Sequence, residues 1–173
     1  MQDNAMGPGN VQQIERMMRT YGTPLLRMCY VYLRNASLAE DATQDAFLKA
    51  YQNLDGFRNE RQLSEKAWLM QIAVNTCRDY RRRAWFRYAE QSLSLEDIGY
   101  LPMESDMSAQ WLAGEIEALP IKLKEIILLH YYQSLSYDEI AALLGISRST
   151  VYARLERARG RLRKELEGWD TDG

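Results

Sequence analysis

The sequence predicts an all-α protein made of two small helical domains joined by a flexible linker. Apolar residues recur at spacings of three and four along most of the chain, which is the periodicity of amphipathic helices. The 173 residues include only four prolines, and runs of the β-branched residues that favour strands are scarce. The composition fits ordinary globular domains, with 46% hydrophobic and 27% charged residues.

Shifts in composition place the boundaries between the expected segments. Residues 89–119 contain seven acidic residues and no lysine or arginine. Serine, glycine and proline interrupt the first part of this range, as is typical of a linker. The expected segments are a flexible leader at 1–10, a first helical domain at 11–88, an acidic linker at 89–106, a second helical domain at 107–166 and a tail at 167–173.

The first domain is expected to begin with three helices. An apolar stripe from Ile14 to Tyr32 is divided into two helices at Pro24, because proline cannot donate a hydrogen bond to the preceding turn. Ser37 and Glu40 then have the spacing of a capping box and open a third helix. This helix is expected to run to about Leu54 and to end at Asp55-Gly56.

The third helix combines an inner face of small residues with a polar outer face. An exposed leucine among carboxylates and amides is typical of a protein-docking surface with an apolar anchor. Single surface leucines are also ordinary, so a solvated face stays an alternative. The inner face comprises Ala39, Ala42, Ala46, Ala50 and Leu54, and the outer face comprises Asp41, Gln44, Asp45, Leu48 and Gln52.

A polar stretch from Phe57 to Ser64 leads into a long helix from Glu65 to about Trp85. Its expected inner stripe includes Leu69 and Ala73, and its other face carries amides and arginines that continue into aromatic residues. Such a combination suits a nucleic-acid strand with unstacked bases, because aromatics stack on bases and arginines hold phosphates. An ordinary exposed amphipathic helix would carry a similar pattern.

The second domain has the pattern of a helix-turn-helix. After expected helices at 107–119 and 121–133, Ser136 and Glu139 have capping-box spacing and open a short helix. Gly145 then breaks the chain, and Ser147 can cap a last helix that runs to about Leu166.

The last helix carries one apolar stripe and one basic face. Val151, Leu155, Ala158 and Leu162 form the stripe, and residues 148–164 include seven basic residues and one acidic residue. A basic helix of this kind fits the major groove, where positive charge supplies affinity for phosphates. The formal net charge of −2 argues mildly against nucleic-acid binding, but it averages this helix with the acidic linker.

Three blocks of sequence resemble small bacterial sigma factors of the extracytoplasmic-function (ECF) group of the sigma-70 family. Residues 39–51 resemble region 2.2, and residues 68–83 resemble regions 2.3 and 2.4. Leu119-Pro120, Glu139-Ile140-Ala141 and residues 147–159 resemble region 4. The blocks occur in family order over most of residues 11–166.

The resemblance implies a transcription initiation factor that binds core RNA polymerase and directs it to specific promoters. The implied partners are the polymerase β′ clamp helices and β flap, promoter DNA, and an anti-sigma factor. It implies no cofactor and no enzymatic activity. The residues implied in core polymerase binding are Asp41, Gln44, Asp45, Phe47 and Leu48.

The same resemblance assigns two DNA-binding surfaces. For the minus-10 element, where a captured base needs a pocket that the Phe57–Ser64 stretch could form, the residues are Phe57, Arg58, Asn59, Gln71, Asn75, Arg78, Asp79, Arg82 and Arg83. For the minus-35 element they are Ser147, Arg148, Ser149, Thr150, Tyr152, Ala153, Arg154, Arg157 and Arg161. Tyr152 departs from the family pattern, in which lysine or arginine is common, and Glu156 replaces a histidine or aromatic residue.

The sequence leaves three other functions open. A helix-turn-helix activator or repressor would explain the second domain but not the first, and it would usually bind DNA as a dimer. A homologue that binds polymerase or DNA without initiating transcription is a second possibility. An enzyme is disfavoured, because no nucleophile–base pair or phosphate loop is present. His130 lies in an apolar run, and Asp41 with Asp45 lacks a third metal ligand.

Cellular location follows from what the sequence lacks. No apolar run approaches the ~18 residues that span a bilayer, and the first residues do not resemble a secretory signal. Cys29 and Cys77 fall in separate apolar helical stretches and predict two buried small side chains. We therefore expect a cytoplasmic protein without direct membrane insertion, monomeric when free.

Overall fold

The structure is a computed structural model that describes residues 7–60, 63–88, 114–116 and 118–170. Its ordered elements are helices, and no strand occurs within the described ranges. The prediction of an all-α fold is therefore confirmed. The chain divides into two compact units, residues 1–100 and 101–173. Among the described residues, no helix is long and apolar enough to cross a membrane.

The first unit is a small bundle in which three helices pack against one another. Its elements are α1 (Pro8–Leu33), α2 (Ala36–Gln52), α3 (Leu54–Glu60) and α4 (Glu65–Tyr88). Helices α1, α2 and α4 make mutual contacts, and α3 contacts α2. The alanine face of α2 is fully buried, and these small side chains allow close helix approach, as the sequence predicts.

Helix α1 is one continuous helix, so the predicted break at Pro24 is wrong. Proline inside a helix costs about 3 kcal/mol through the lost hydrogen bond and a steric clash. Leu25 and Met28 follow it and are fully buried, and burying two such side chains contributes a comparable free energy.

Helix α1 also begins at Pro8, because proline suits the first helical position. The predicted leader is therefore wrong in its last three residues; residues 1–6 lie outside the described residues.

The start of α2 is set by Asn35 rather than by Ser37. Arg34 adopts a left-handed conformation with φ 58° and ends α1. The next residue then takes the cap position, and the Asn35 Oδ1 accepts from the backbone N–H of Leu38 at 2.9 Å. The predicted N-cap at Ser37, with its capping-box partner Glu40, is therefore two residues too late.

The stretch that follows α2 is helical, contrary to the predicted end at Asp55-Gly56. Helix α3 begins at Leu54, which is fully buried. The Phe57 ring stacks on the Trp68 ring, with centroids 4.5 Å apart and an interplanar angle of 20°. These contacts with α4 stabilise a helix that the local polar composition does not indicate.

The two cysteines meet inside the first unit. Cys29 on α1 and Cys77 on α4 are both fully buried, as the sequence predicts for small apolar side chains. A hydrogen bond between their thiols lowers the pKa of Cys29 from its ordinary value. The pair lies at the contact between α1 and α4 and belongs to the packed interior.

The main helical elements described in the second unit surround one apolar core. They are α5 (Ile121–Ile127), which continues as a π-helical turn (Leu128–Tyr132), α6 (Tyr137–Leu144) and α7 (Arg148–Asp170). Helix α7 packs against α5 and α6. The fully buried side chains include Ile126, Leu129, Ile140 and Leu155.

The helix between Ile121 and Gln133 changes type part of the way along, which the sequence does not predict. A π-helical turn contains more residues than an α-helical turn and shifts the side chains that follow it. Tyr131, within this turn, is 52% exposed. Of the helix predicted at 107–119, the structure describes only a few residues, among which Ile116 and Leu119 are buried.

Candidate nucleic-acid and polymerase interfaces

Hydroxyl groups fix the start of α7. The Ser147 Oγ accepts from the backbone N–H of Thr150 at 3.1 Å, and the Thr150 and Ser149 hydroxyls lie 2.8 and 3.2 Å from the same oxygen. Capping of this kind satisfies backbone donors that a helix otherwise leaves free. Ser147 and Thr150 thus hold the helix start in place, and Ser149 extends the same cluster.

The turn before α7 is equally well defined. Ser136 and Glu139 exchange both bonds of a capping box, at 2.9 and 3.2 Å, and Gly145 ends α6 with φ 67°. A left-handed conformation favours glycine, which has no Cβ. The predicted capping box, at the start of α6, and the glycine break at its end are confirmed.

Helix α7 rests on a buried stripe and leaves its polar residues accessible. Val151, Leu155 and Ala158 are fully buried, as predicted. Thr150 and Arg154 are half-buried. The predicted minus-35 residues that are exposed are Ser147, Arg148, Ser149, Tyr152, Ala153, Arg157 and Arg161.

One exposed arginine of this set has an acidic neighbour. The Arg148 Nε lies 3.6 Å from Asp138 Oδ1, and both side chains are more than two-thirds exposed. A pair so exposed contributes little to stability. Arg148 is therefore available to exchange this carboxylate for a phosphate.

Arg159 is tied to the protein in a way that the sequence does not reveal. Its Nε donates to the Tyr131 hydroxyl at 2.7 Å, and its Nη1 donates to Glu156 Oε1 at 2.8 Å. The guanidinium carbon lies 5.6 Å from the centre of the Tyr131 ring. The bond to Tyr131 is the main cause that raises the pKa of Arg159. Tyr131 lies 28 positions earlier, so no local pattern links the two residues.

A cavity of about 410 Å³ lies beside this contact. Burial raises the pKa of Tyr132, which is one of its walls. The cavity is mainly apolar and also presents two arginines. Its lining residues are Ile116, Ile127, Tyr131, Tyr132, Arg159, Leu162 and Arg163.

The residues of the predicted polymerase face of α2 differ in their exposure. Asp41 and Gln44 are exposed, and Leu48 is 54% exposed. Phe47 is only 5% exposed, so it lies in the core beneath this face. Its inclusion among the docking residues is corrected, since neighbouring helical positions point in directions about 100° apart.

Asp45 is held by α4 at the edge of the same face. It is half-buried and accepts a hydrogen bond from the Tyr80 hydroxyl. Burial, followed by this hydrogen bond, raises the pKa of Tyr80 to about 12. Asp45 therefore joins α2 to α4, in addition to bordering the exposed Asp41 and Leu48.

The residues predicted for minus-10 contact at 57–59 lie on α3 instead of in a loop. Phe57 is half-buried against Trp68. The Arg58 guanidinium donates to Asn10 Oδ1 at 2.7 Å and to Gln13 Oε1 at 2.5 Å, so it ties α3 to α1. Asn59 is part of α3, and its side chain lies outside the described residues.

The remaining minus-10 residues share the outer part of α4. Gln71 and Asp79 are half-buried, and Asp79 Oδ1 pairs with Arg82 Nη2 at 2.6 Å. Behind this face, the Thr76 hydroxyl accepts from the Lys49 ammonium at 3.2 Å, which joins α2 to α4. The exposed members are Asn75, Arg78, Arg82 and Arg83.

His130 lies within the π-helical turn and occupies a structural position. Its Nδ1 lies 3.0 Å from the carbonyl oxygen of Leu135, and its ring packs against Tyr131 and Tyr137. Within the ranges that the structure describes, no three His, Cys, Asp or Glu side chains are grouped to hold a metal ion.

Comparison with known families matches both units. The family model described as Sigma-70 region 2 matches residues 17–87, and the model described as Sigma-70, region 4, matches residues 109–162. Solved structures are similar as well. The structure of CnrH in complex with the cytosolic domain of CnrY has a TM-score of 0.69 at 25% identity, covering 95% of this chain and 92% of that one.

A second solved structure shows the same fold. The sigma factor RpoE in complex with the anti-sigma factor NepR from Bartonella quintana has a TM-score of 0.77 at 24% identity, over 90% of this chain and 98% of that one.

Curated relatives agree with the family models. The ECF RNA polymerase sigma factor SigW of Bacillus subtilis is 34% identical over 160 residues, which cover 84% of each chain. The RNA polymerase sigma-E factor of Streptomyces avermitilis is 31% identical, over 96% of this chain and 92% of that one. On the two family-model matches and these relatives, the chain belongs to the sigma-70 family of RNA polymerase sigma factors, in its ECF group.

Proposed function

We propose that this sigma factor binds core polymerase through α2, places α7 in the major groove of the minus-35 element, and holds the melted minus-10 element against α3 and α4. It would act as a transcription initiation factor in the cytoplasm, without catalysis of its own. The functional domains are residues 11–88 and 107–166, with residues 89–106 as the linker. The outer face of α7 carries this proposal.

Helix α7 supports the minus-35 assignment by its rigidity and its charge. Its start is capped by Ser147, and Val151 and Leu155 anchor it in the core. A helix fixed in this way can present Arg148, Ser149 and Arg157 to one stretch of duplex. Arginine contacts to phosphates provide affinity, and contacts to base edges provide specificity.

The first unit supports the polymerase and minus-10 assignments. Leu48 is an exposed apolar side chain flanked by Asp41 and Gln44, which matches a docking site with an apolar centre and a polar rim. The exposed Asn75, Arg82 and Arg83 on α4 supply an amide and two cations for a single strand.

Control by an anti-sigma factor is part of the proposal. Solved relatives include CnrH bound to the cytosolic domain of CnrY. The exposed Leu48 face would be a suitable target, because covering it would prevent polymerase from docking.

Transcription in a purified system tests the function. Core polymerase with this chain should initiate from promoters selected out of random DNA, and core polymerase alone should not. Binding to core polymerase without initiation from any selected DNA would identify a non-initiating homologue. Specific duplex binding as a dimer, without polymerase, would favour the helix-turn-helix regulator.

A further inference from the structure

Four aromatic rings form a continuous line from the π-helical turn to the DNA-facing helix. The ring centroids of Tyr131 and His130 are 4.9 Å apart, and those of His130 and Tyr137 are 5.2 Å apart. Tyr137 and Tyr152 follow at 6.4 Å with an interplanar angle of 62°. Such tilted and edge-on geometries are favourable for aromatic pairs. The line ends at Tyr152 on α7.

Tyr152 combines exposure with a fixed support. Its side chain is 54% exposed, one helical turn after Arg148 and one turn before Glu156. Tyr137, against which it packs, is the first residue of α6 and is held by the Ser136 capping box. His130 behind it is fixed by the bond to the Leu135 carbonyl. A tyrosine side chain also has few rotatable bonds, so fixing it costs little entropy.

The chemistry of Tyr152 differs from that of its basic neighbours on α7. A phenol ring does not attract phosphates as Arg148 and Arg157 do, but it offers an apolar edge. The C5-methyl group of thymine is the apolar group that base pairs present in the major groove. Ala153, the next residue, is also exposed and small, so it leaves room for the ring to approach a base.

We propose that Tyr152 reads the methyl group of a thymine in the minus-35 element and that Tyr137 is the positioning residue that holds its ring. This inference rests on the proposed placement of α7 in the major groove. It assigns Tyr152 to the recognition of a thymine methyl group, for which the charged guanidinium groups of α7 are not suited.

The holoenzyme first selects promoter duplexes from a library that is randomised over the minus-35 element. The binding of a selected duplex to the same holoenzyme is then measured. Each thymine of the selected element is replaced, one at a time, by deoxyuridine, which removes only the methyl group. Replacement of the thymine that Tyr152 contacts should weaken binding about fourfold, because that is the effect of losing one buried methyl-sized group. With Tyr152→Ala, thymine and deoxyuridine should bind equally at that position.

Variants of Tyr137 test the positioning role. Tyr137→Leu should reduce the thymine-to-deoxyuridine ratio at the same position, and Tyr137→Phe should restore it because the ring remains. Tyr131→Phe is the matched control and should leave the ratio unchanged. Equal helical content by circular dichroism and equal affinity for core polymerase would show that each variant is folded.

The outcomes separate this inference from the proposed function. Arg157→Ala should weaken binding to thymine and deoxyuridine duplexes alike, and no effect of that change at all would contradict the placement of α7. If Arg157→Ala acts as expected but no deoxyuridine replacement matters, or Tyr152→Ala retains the sensitivity, the thymine contact is wrong and the minus-35 assignment stands.

Discussion

Adjacent residues on α2 have opposite roles. Phe47 is buried and Leu48 is exposed, although both are large and apolar. The small inner face of α2 decides between them, because Phe47 lies next to Ala46 and within one turn of Ala50, both buried. Apolar character alone therefore does not decide which side chain is accessible; its angular position on the helix does.

Two substitutions at these positions should have separable effects. Leu48→Asp should weaken affinity for core polymerase about tenfold or more, since it places a charge at the apolar centre of the face, while the free energy of unfolding stays unchanged. Phe47→Ala should lower the free energy of unfolding by about 3–5 kcal/mol, because it leaves a cavity in the core. Urea denaturation and binding titrations measure the two quantities. If the affinity of Leu48→Asp for core polymerase is unchanged, the assignment of α2 as the docking face is wrong.

Burial of Tyr80 and its hydrogen bond to Asp45 predict that stability depends on pH in the alkaline range. The pKa of Tyr80 is raised to about 12, against about 10 in the unfolded chain. The folded state thus favours the neutral phenol. The stabilisation is fully present below pH 10 and is lost as the pH rises towards 12.

Comparison with Tyr80→Phe isolates this effect. The difference in free energy of unfolding between the wild type and Tyr80→Phe should be constant up to pH 10 and should narrow between pH 10 and 12. Denaturant titrations at several pH values measure this difference. Contributions from the titration of other tyrosines and lysines are the same in both proteins and cancel. A difference that is flat through pH 12 would contradict a raised pKa of Tyr80 in the folded state.

Arg157 is the residue on which the minus-35 assignment can be tested most directly. Arg157→Ala should cost about 1–3 kcal/mol in minus-35 binding if the side chain contacts a base edge, and discrimination at that base should fall. Arg19→Ala, which removes an exposed arginine on α1, serves as the control. Footprinting of holoenzyme on promoter variants measures both. Equal losses from the two changes would indicate a general charge effect.

At the scale of elements, Pro24 shows where local sequence and tertiary packing disagree. The helix retains proline at an interior position because the following turn is buried. Pro24→Ala should therefore raise the free energy of unfolding by about 1–3 kcal/mol, since alanine restores the backbone donor. Thr23→Ala, at an exposed neighbouring position, is the control. A lower stability of Pro24→Ala would mean that the proline ring makes packing contacts that outweigh the restored bond.

The elements that the sequence predicts correctly are those with local causes. The Ser136 capping box, the Gly145 break and the Ser147 cap involve residues within three positions of one another. Helix α3 is missed because Phe57 depends on Trp68, eleven positions later. The π-helical turn carries no sequence signal that separates it from an α-helix, and it sets the exposure of Tyr131.

The candidate site follows the same division. The exposed arginines of α7 are predictable from the buried stripe on the same helix. The links from Asp45 to Tyr80 and from Arg159 to Tyr131 span 35 and 28 positions, and only the folded chain brings them together.

At the scale of the whole molecule, charge is distributed unevenly. The net charge of −2 combines the basic α7 with a range, 89–119, that has seven acidic residues and no basic ones. If α7 binds DNA as proposed, acidic residues on the same chain should compete with phosphates for its arginines.

Neutralising the linker should therefore strengthen duplex binding by the free protein. Replacing Glu90, Glu96, Asp97, Glu104 and Asp106 with their amides should raise affinity for a minus-35 duplex at low salt. The gain should shrink as salt screens the charges. Fluorescence anisotropy across a salt series measures it. A gain that is independent of salt would point to a change in folding instead of charge.

The buried thiol pair allows opening of the first unit to be measured by chemical labelling. Cys29 and Cys77 are the only cysteines of the chain, and both are sealed from solvent. An alkylating reagent in excess can reach them only when the contact between α1 and α4 opens, so the labelling rate reports the opening of that unit alone. The second unit contains no cysteine, so its opening does not contribute to the labelling rate. Stability of the first unit can thus be followed by itself in the intact protein.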